Sequence, residues 1–190
     1  MTFENDVKLL SKLLLDIDKQ LLEFNEIVPY EYNRDAYSPR LINLLLSTSS
    51  QIEAYCNLFI VECNLHPSTS ANDGIKGVLR EMNQNGVLSN MDWTTIFTEK
   101  FQPFDGVYEW WTKNNKIKHS LATYILSVKY YHVVTAIVAL HSLERLAYAK
   151  IHNILNGVDL LDINKWDKKS NISWQTAHEL FHTYTAPKQL

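Results

Sequence analysis

The densest group of chemically capable side chains lies in the segment YEWWTKNNKIKH, which runs from Tyr108 to His119. It contains two tryptophans, three lysines, two asparagines and one histidine. Histidine exchanges a proton near neutral pH, so His119 is the candidate general acid or base. The alternative is structural: a helix end whose lysines face solvent and favour the helix dipole, with the paired tryptophans anchored in the core.

Side chains that suit phosphates and bases surround this histidine. Lysines attract phosphate by charge, which makes Lys116 and Lys118 candidates for holding a nucleic-acid backbone. An indole can stack on a base, which adds Trp111. If the segment is helical, Asn115 and Lys116 lie one turn before His119 and share its face. The net charge of −3 gives no global attraction to nucleic acid, so any site for RNA or a nucleotide must be local.

A second pattern with chemical meaning is H-E-x-x-H, which runs from His178 to His182. On a helix these two histidines would share one face and could bind zinc, with Glu179 as the base. A catalytic zinc needs a third protein ligand, and residues 183–190 contain no His, Glu, Asp or Cys. We therefore expect an amphipathic terminal helix and no cofactor, and a zinc hydrolase through His178 and His182 stays open as an alternative.

Helices must position these residues, because apolar side chains recur at three- and four-residue steps along the longest segments. Ser38 before Pro39 is typical of a helix start. We expect four main helices, over residues 5–28, 38–63, 120–156 and 173–184, and two shorter ones, over 74–85 and 107–118.

Three histidines of the long apolar segment are expected at core or boundary positions: His132, His141 and His152. The mixed segment 87–106 has Asp92 as a helix N-cap, and no strand is predicted. Long helices with short connections predict an all-α, up-and-down helical bundle.

The composition is that of one folded domain. Of the 190 residues, 46% are hydrophobic, which suffices for a core, and 21% are charged, which is too few for a disordered chain. Cys56 and Cys63 stand about 10 Å apart along a helix, too far for a mutual disulfide, so we expect free thiols in a reducing cytoplasm. No signal peptide is visible at the N-terminus, and the apolar run 133–140 is far shorter than the roughly 20 residues of a membrane span.

Two stretches of the sequence resemble the HEPN superfamily of helical bundles. One contains YSPRLIN and QIEA, between Tyr37 and Ala54, and resembles the family's long first core helix with its inner glutamate, here Glu53. The other is Trp110-Trp111 followed by NNKIKH, which resembles the family's signature of tryptophan, asparagine and lysine–histidine. The resemblance covers about residues 37–156 of a single domain, 1–190, on which helices 5–28 and 173–184 are expected to pack.

The resemblance implies a homodimer with the histidine motif near the dimer cleft. Many members are metal-independent ribonucleases of toxin–antitoxin and phage-defence systems, with an arginine and a histidine separated by four to six intervening residues. Here Lys113 stands five intervening residues ahead of His119 and Asn114 stands four ahead. The resemblance therefore assigns His119, Lys113, Asn114 and Glu53 to catalytic positions, although a lysine lacks the planar fork with which arginine grips phosphate.

The missing arginine favours a catalytically weak or silent module that binds RNA, a nucleotide or a protein partner. A metal-independent endoribonuclease using His119 is the first alternative, and the zinc hydrolase at His178 and His182 is the second. The expected partners are RNA or a nucleotide, a second copy of the chain and an antitoxin protein. No membrane partner is expected, and nothing indicates DNA in particular.

Overall fold

Seven α-helices make up most of the described chain. The computed structural model describes residues 2–65, 74–83, 88, 92–95, 97, 100–151 and 181–185, of which 92–95, 100 and 181–185 are described by their backbone. The helices are α1 (Phe3–Ile27), α2 (Tyr30–Asn33), α3 (Pro39–Glu62), α4 (Gly74–Met82), α5 (Glu109–His119), α6 (Leu121–Tyr124) and α7 (Tyr130–Ile151). The prediction of an all-α helical bundle is confirmed.

The starts of α1 and α3 follow from local side-chain chemistry. The Thr2 side chain accepts a hydrogen bond from the Asn5 amide at the start of α1. The Ser38 hydroxyl accepts hydrogen bonds from the amides of Arg40 and Leu41, and Pro39 occupies the first turn of α3. These contacts satisfy amides that have no partner inside the helix. The predicted helix start at Ser38-Pro39 is confirmed.

Helices α1, α3 and α7 enclose the core. α1 and α3 are antiparallel, because the end of α1 meets the start of α3, where the Arg40 guanidinium lies 2.8 Å from Glu23. α3 and α7 run in the same direction, since the Lys150 ammonium near the end of α7 lies 3.7 Å from Glu62 at the end of α3. The segment 63–129 therefore returns the chain to the end of the bundle at which α3 began. Helices α4, α5 and α6 lie within that returning segment.

The predicted single helix over 120–156 is wrong in its first ten residues. α6 and a 3₁₀ turn (Ile125–Ser127) come first, and α7 starts at Tyr130 at an angle of 92° to them. The Lys129 amide donates a hydrogen bond of 2.9 Å to Nδ1 of His132, and this contact caps the start of α7. Residues 152–156 lie outside the described part of the chain.

A small antiparallel sheet accompanies the helices. Its strands are β1 (Asp92–Thr95), β2 (Lys100–Phe101) and β3 (Phe181–Thr185), in the order β2-β1-β3. Trp93 pairs with Phe101 on one side and with Tyr184 on the other. Asp92 thus begins a strand, and its prediction as a helix N-cap is wrong.

The predicted terminal helix over 173–184 is also wrong for residues 181–184, which belong to β3. Its sequence FHTYT alternates aromatic or imidazole side chains with threonine, a composition that favours a paired strand. His182 therefore lies in a strand, whereas His178 and residues 173–180 lie outside the described residues. The shared helical face on which the zinc hypothesis depended is not formed at His182.

Within the described ranges, no single helix combines the length and apolar character of a membrane span. Residues 121–127 and 130–151 pass that test of length and composition only when taken together, as a pair bent by 92°.

Candidate functional site on helix α5

Helix α5 is held in place by the loop before it. Asp105 accepts hydrogen bonds through Oδ1 from the amides of Val107 and Tyr108. Tyr108 adopts a left-handed backbone conformation, with φ of 51°, and is buried. The indole Nε1 of Trp110 donates a hydrogen bond of 3.0 Å to the Pro103 carbonyl. These contacts fix the direction in which α5 leaves the loop, and therefore the faces that its polar residues occupy.

His119 is exposed as the last residue of α5. No hydrogen bond or ion pair joins it to another described residue. Asn115 and Lys116 lie within about 60° of it around the helix, which places them on the same outer face as the sequence predicted. The imidazole is thus accessible but has no described neighbour that orients it or activates it.

The three lysines of α5 occupy different surroundings. The Lys113 ammonium lies 3.8 Å from Glu109, one turn earlier. Lys118 forms an ion pair with Glu53 of α3, and its ammonium lies 5.7 Å from the centre of the Trp111 ring. The structure therefore brings together three of the predicted site residues, Glu53, Lys118 and Trp111, on one side of α5.

Lys116 is exposed on another side of α5, and its ammonium lies 5.3 Å from the centre of the Tyr124 ring in α6. Lys113, Lys116 and His119 follow one another at three-residue steps, so they form a continuous line along the helix surface. We call these three residues the basic stripe.

Asn114 lies on the opposite, inner side of α5. Its side chain is fully buried, and neither its amide nitrogen nor its oxygen has a hydrogen-bond partner among the described residues. Trp110, Trp111 and Ile117 are buried around the same face of the helix. The resemblance assigned Asn114 to a catalytic position, but the structure places its amide inside the bundle, away from the exposed His119.

A cavity of about 210 Å³ opens beside the first turn of α5. We call it the α5 cavity, and its walls combine aromatic rings with hydrogen-bonding side chains from α5, α7, the end of β2, the loop before α5 and the residue after α2. It is lined by Arg34, Phe101, Gln102, Pro103, Asp105, Glu109, Trp110, Tyr131, His132 and Thr135.

Glu109 is the polar centre of the α5 cavity. Its Oε1 lies 3.1 Å from Nε2 of His132, a close contact whose geometry is not that of a hydrogen bond. Its Oε2 accepts a hydrogen bond of 3.3 Å from the Tyr131 hydroxyl. The Arg34 guanidinium stands 5.1 Å from the centre of the Tyr131 ring. The starts of α5 and α7 and the end of α2 are thereby joined around one carboxylate.

The protonation states at this carboxylate are well defined. Nδ1 of His132 accepts the Lys129 amide proton, so the neutral ring carries its own proton on Nε2, facing Glu109. Burial lowers the pKa of His132, and the charges of Lys113 and Lys129 act in the same direction, against the opposing effect of Glu109. The contact with His132 lowers the pKa of Glu109. A neutral imidazole beside an ionised carboxylate follows, with Nδ1 hydrogen-bonded to the Lys129 amide and Nε2 in close contact with Glu109.

A second buried titratable group lies deeper in the bundle. Nε2 of His141 lies 2.9 Å from Asp18 and joins α7 to α1, with Glu144 and Arg145 buried close by. The expectation that His132 and His141 occupy core positions is confirmed, whereas His152 lies outside the described residues. In the described part of the chain, no group of three or more His, Cys, Asp or Glu side chains is arranged to hold a metal ion.

The sequence did not reveal the α5 cavity. Arg34 follows α2, Glu109 begins α5 and His132 lies in α7, and only tertiary packing brings them together. One local signal was available for the position of His132. A side chain three residues beyond a backbone amide can accept the proton of that amide at a helix start, as His132 does from Lys129.

No known protein family, no curated protein and no solved structure matches the chain.

Proposed function

We propose that this chain is a HEPN-like helical module, catalytically weak or silent, that binds RNA or a nucleotide through the basic stripe of α5. The observation that carries the proposal is the exposed pair Lys116 and His119, one turn apart on the same face of the helix. A lysine offers charge to a phosphate, and the Tyr124 ring beneath Lys116 offers a surface on which a base can stack.

The surroundings of His119 argue for binding without efficient cleavage. Cleavage of RNA without metal needs one group that takes a proton and others that stabilise the phosphate. Lys113 and Lys118 are each beside a carboxylate, Glu109 and Glu53, which offsets much of their charge. Asn114 is buried. Lys116 then remains as the cation beside His119, and a lysine lacks the planar fork with which an arginine grips phosphate.

The proposal extends to the setting in which the module works. The resemblance supports a homodimer in a bacterial defence or toxin–antitoxin system, where an antitoxin protein would be a further partner. Cys56 and Cys63 are both free thiols, and free thiols suit the reducing cytoplasm. Sedimentation velocity measured across a range of protein concentrations tests the homodimer.

Fluorescence anisotropy with labelled single-stranded RNA, measured from 50 to about 200 mM salt, tests the binding. Lys116→Ala is compared with Lys12→Ala, which removes the same charge from the exposed face of α1. We expect Lys116→Ala to weaken binding about three- to tenfold and to reduce the salt slope by roughly 0.7, the contribution of one phosphate contact on a single strand. Equal effects of the two variants would overturn the proposed site.

A metal-independent endoribonuclease using His119 is the second candidate. The observation in its favour is the exposure of His119 three residues beyond Lys116, where an imidazole can reach a ribose hydroxyl. Cleavage in the presence of EDTA that is lost in His119→Ala would establish it. The zinc hydrolase is not carried forward, because His182 lies in β3 and not on a helix shared with His178.

A further inference from the structure

We propose that the α5 cavity receives one unstacked base of the bound RNA, with guanine preferred over the other bases. This inference rests on the proposed function, because it names the part of the RNA that the same helix recognises. The α5 cavity and the basic stripe share α5, with Glu109 at its first residue and His119 at its last. A strand that follows the stripe toward the start of α5 arrives at the cavity.

The size and walls of the α5 cavity suit a planar ring. Its volume is about 210 Å³. That is room for one base and too little for a folded stretch of nucleic acid. Tyr131 is half-buried and supplies the aromatic surface on which a base can stack, whereas Phe101 and Trp110 are buried and close the inner wall. Stacking alone explains entry of a base but not a preference among bases.

The polar groups at the α5 cavity supply that preference. Glu109 offers two carboxylate oxygens that accept hydrogen bonds, and Arg34 offers a planar guanidinium that donates them. Guanine presents the matching groups, because N1–H and the exocyclic amino group donate while O6 and N7 accept. Uracil has a single N–H donor and no amino group, so it leaves acceptors of Glu109 unused. Gln102, at the exposed rim, can adapt as donor or acceptor.

The Glu109 carboxylate is held in position before RNA binds. His132 is 2% exposed, and its neutral ring faces Glu109 from the interior while the Tyr131 hydroxyl donates to the other oxygen. A side chain fixed on two sides loses little conformational freedom when a ligand binds. Each carboxylate oxygen has a second lone pair, which stays available for the base.

The basic stripe continues from this carboxylate along α5. Lys113 lies one turn beyond Glu109, and Lys116 lies about 10 Å beyond it along the helix axis. A single strand whose base occupies the α5 cavity would place its following phosphates toward Lys116, because Glu109 offsets much of the charge of Lys113. The base and the phosphates are therefore read by different residues of one helix, so substitutions can separate the two contributions.

The experiment uses the full chain and three labelled oligouridine RNAs: one unmodified, one with a single central guanosine, and one with an abasic site at that position. Glu109→Gln replaces an acceptor with a donor, and Arg34→Gln removes the guanidinium from an exposed position. Glu26→Gln is the control, because it removes the same charge from an exposed site on α1.

We expect the wild type and Glu26→Gln to bind the guanosine RNA about tenfold more tightly than the unmodified and abasic RNAs. In Glu109→Gln and Arg34→Gln this ratio should fall to about one, because the matched donors and acceptors are gone. Wild-type binding that depends on Lys116 but shows no preference for guanosine would overturn the cavity proposal and leave the proposed function standing. Absence of RNA binding by the wild type would overturn both.

Discussion

The two ends of the polar surface on α5 hold histidines in opposite situations. His119, at the end of α5, is exposed and has no described partner. His132, beside the start of α5, is 2% exposed and uses both ring nitrogens, one toward the Lys129 amide and one toward Glu109. The exposed imidazole can meet a substrate but lacks support, whereas the supported imidazole cannot leave its partners. His119 is therefore accessible but not held in position, and His132 is held in position but not accessible.

This contrast explains why we favour binding over catalysis. A general base needs access to a substrate proton and a neighbour that fixes its tautomer. Neither histidine meets both conditions among the described residues. A binding site needs only an accessible charged surface and a fixed recognition group, which the basic stripe and Glu109 supply. Three expected effects, taken from the largest to the smallest, can break or sharpen this comparison.

The largest expected effect is on folding stability. His132→Ala removes the side chain that caps the start of α7 and leaves a void in the core, and it should lower the free energy of unfolding by about 2–3 kcal/mol. His119→Ala should change it by less than about 0.5 kcal/mol, because that side chain is exposed. Urea denaturation followed by circular dichroism compares the two. Equal losses of stability would contradict the difference between the two histidines.

The second effect concerns pH. Burial lowers the pKa of His132 in the folded state, so the unfolded chain takes up this proton first as the pH falls. Stability should therefore decrease as the pH falls from about 7 through the ordinary histidine pKa of about 6.5, by at most about 1.4 kcal/mol per pH unit for this one group. Its contribution levels off below the lowered pKa.

His132→Gln is the control for this prediction, because glutamine does not titrate. Its profile of unfolding free energy between pH 7 and 5 should be flatter than that of the wild type. A profile as steep as the wild type's would mean that another group carries the dependence, and His132 would then not be the neutral partner of Glu109.

The third and smallest effect is on RNA affinity. Glu53→Gln removes the carboxylate that pairs with Lys118 and frees that ammonium for phosphate. We expect RNA binding to strengthen about two- to threefold at low salt, with the gain disappearing as salt screens the charge. The matched control is Glu26→Gln, an equal change of charge away from α5. Weaker binding of Glu53→Gln than of the control would show that Glu53 itself takes part in recognition.

Much of the fold was predictable because it depends on local patterns. The period of apolar residues in α1 and the Ser38-Pro39 start of α3 are properties of neighbouring residues, and both were identified. The break between α6 and α7 was missed because neither glycine nor proline marks it. At the break the His132 ring accepts the Lys129 amide proton, a contact that neither glycine nor proline signals. Strand β3 was missed because its pairing partner, β1, lies about ninety residues earlier.

The candidate site also has features that local spacing predicts and features that only tertiary packing determines. Residues within one segment, such as Lys116 and His119, share the face that helical spacing predicts. The pairing of Lys118 with Glu53 and of Glu109 with His132 depends on how α5 packs against α3 and α7, and spacing in sequence contains no record of it. The burial of Asn114 was also not predicted, because an asparagine beside a second asparagine gives no sign of which one faces inward.

The central claim is that this chain binds RNA at α5 without cleaving it. The most direct test incubates the purified wild type with structured and single-stranded RNAs in EDTA, beside His119→Ala, and measures both the bound fraction and the cleaved products. We predict binding by the wild type, a modest loss of binding in His119→Ala, and intact RNA in both. Cleavage by the wild type that disappears in His119→Ala would contradict the claim and establish a metal-independent ribonuclease.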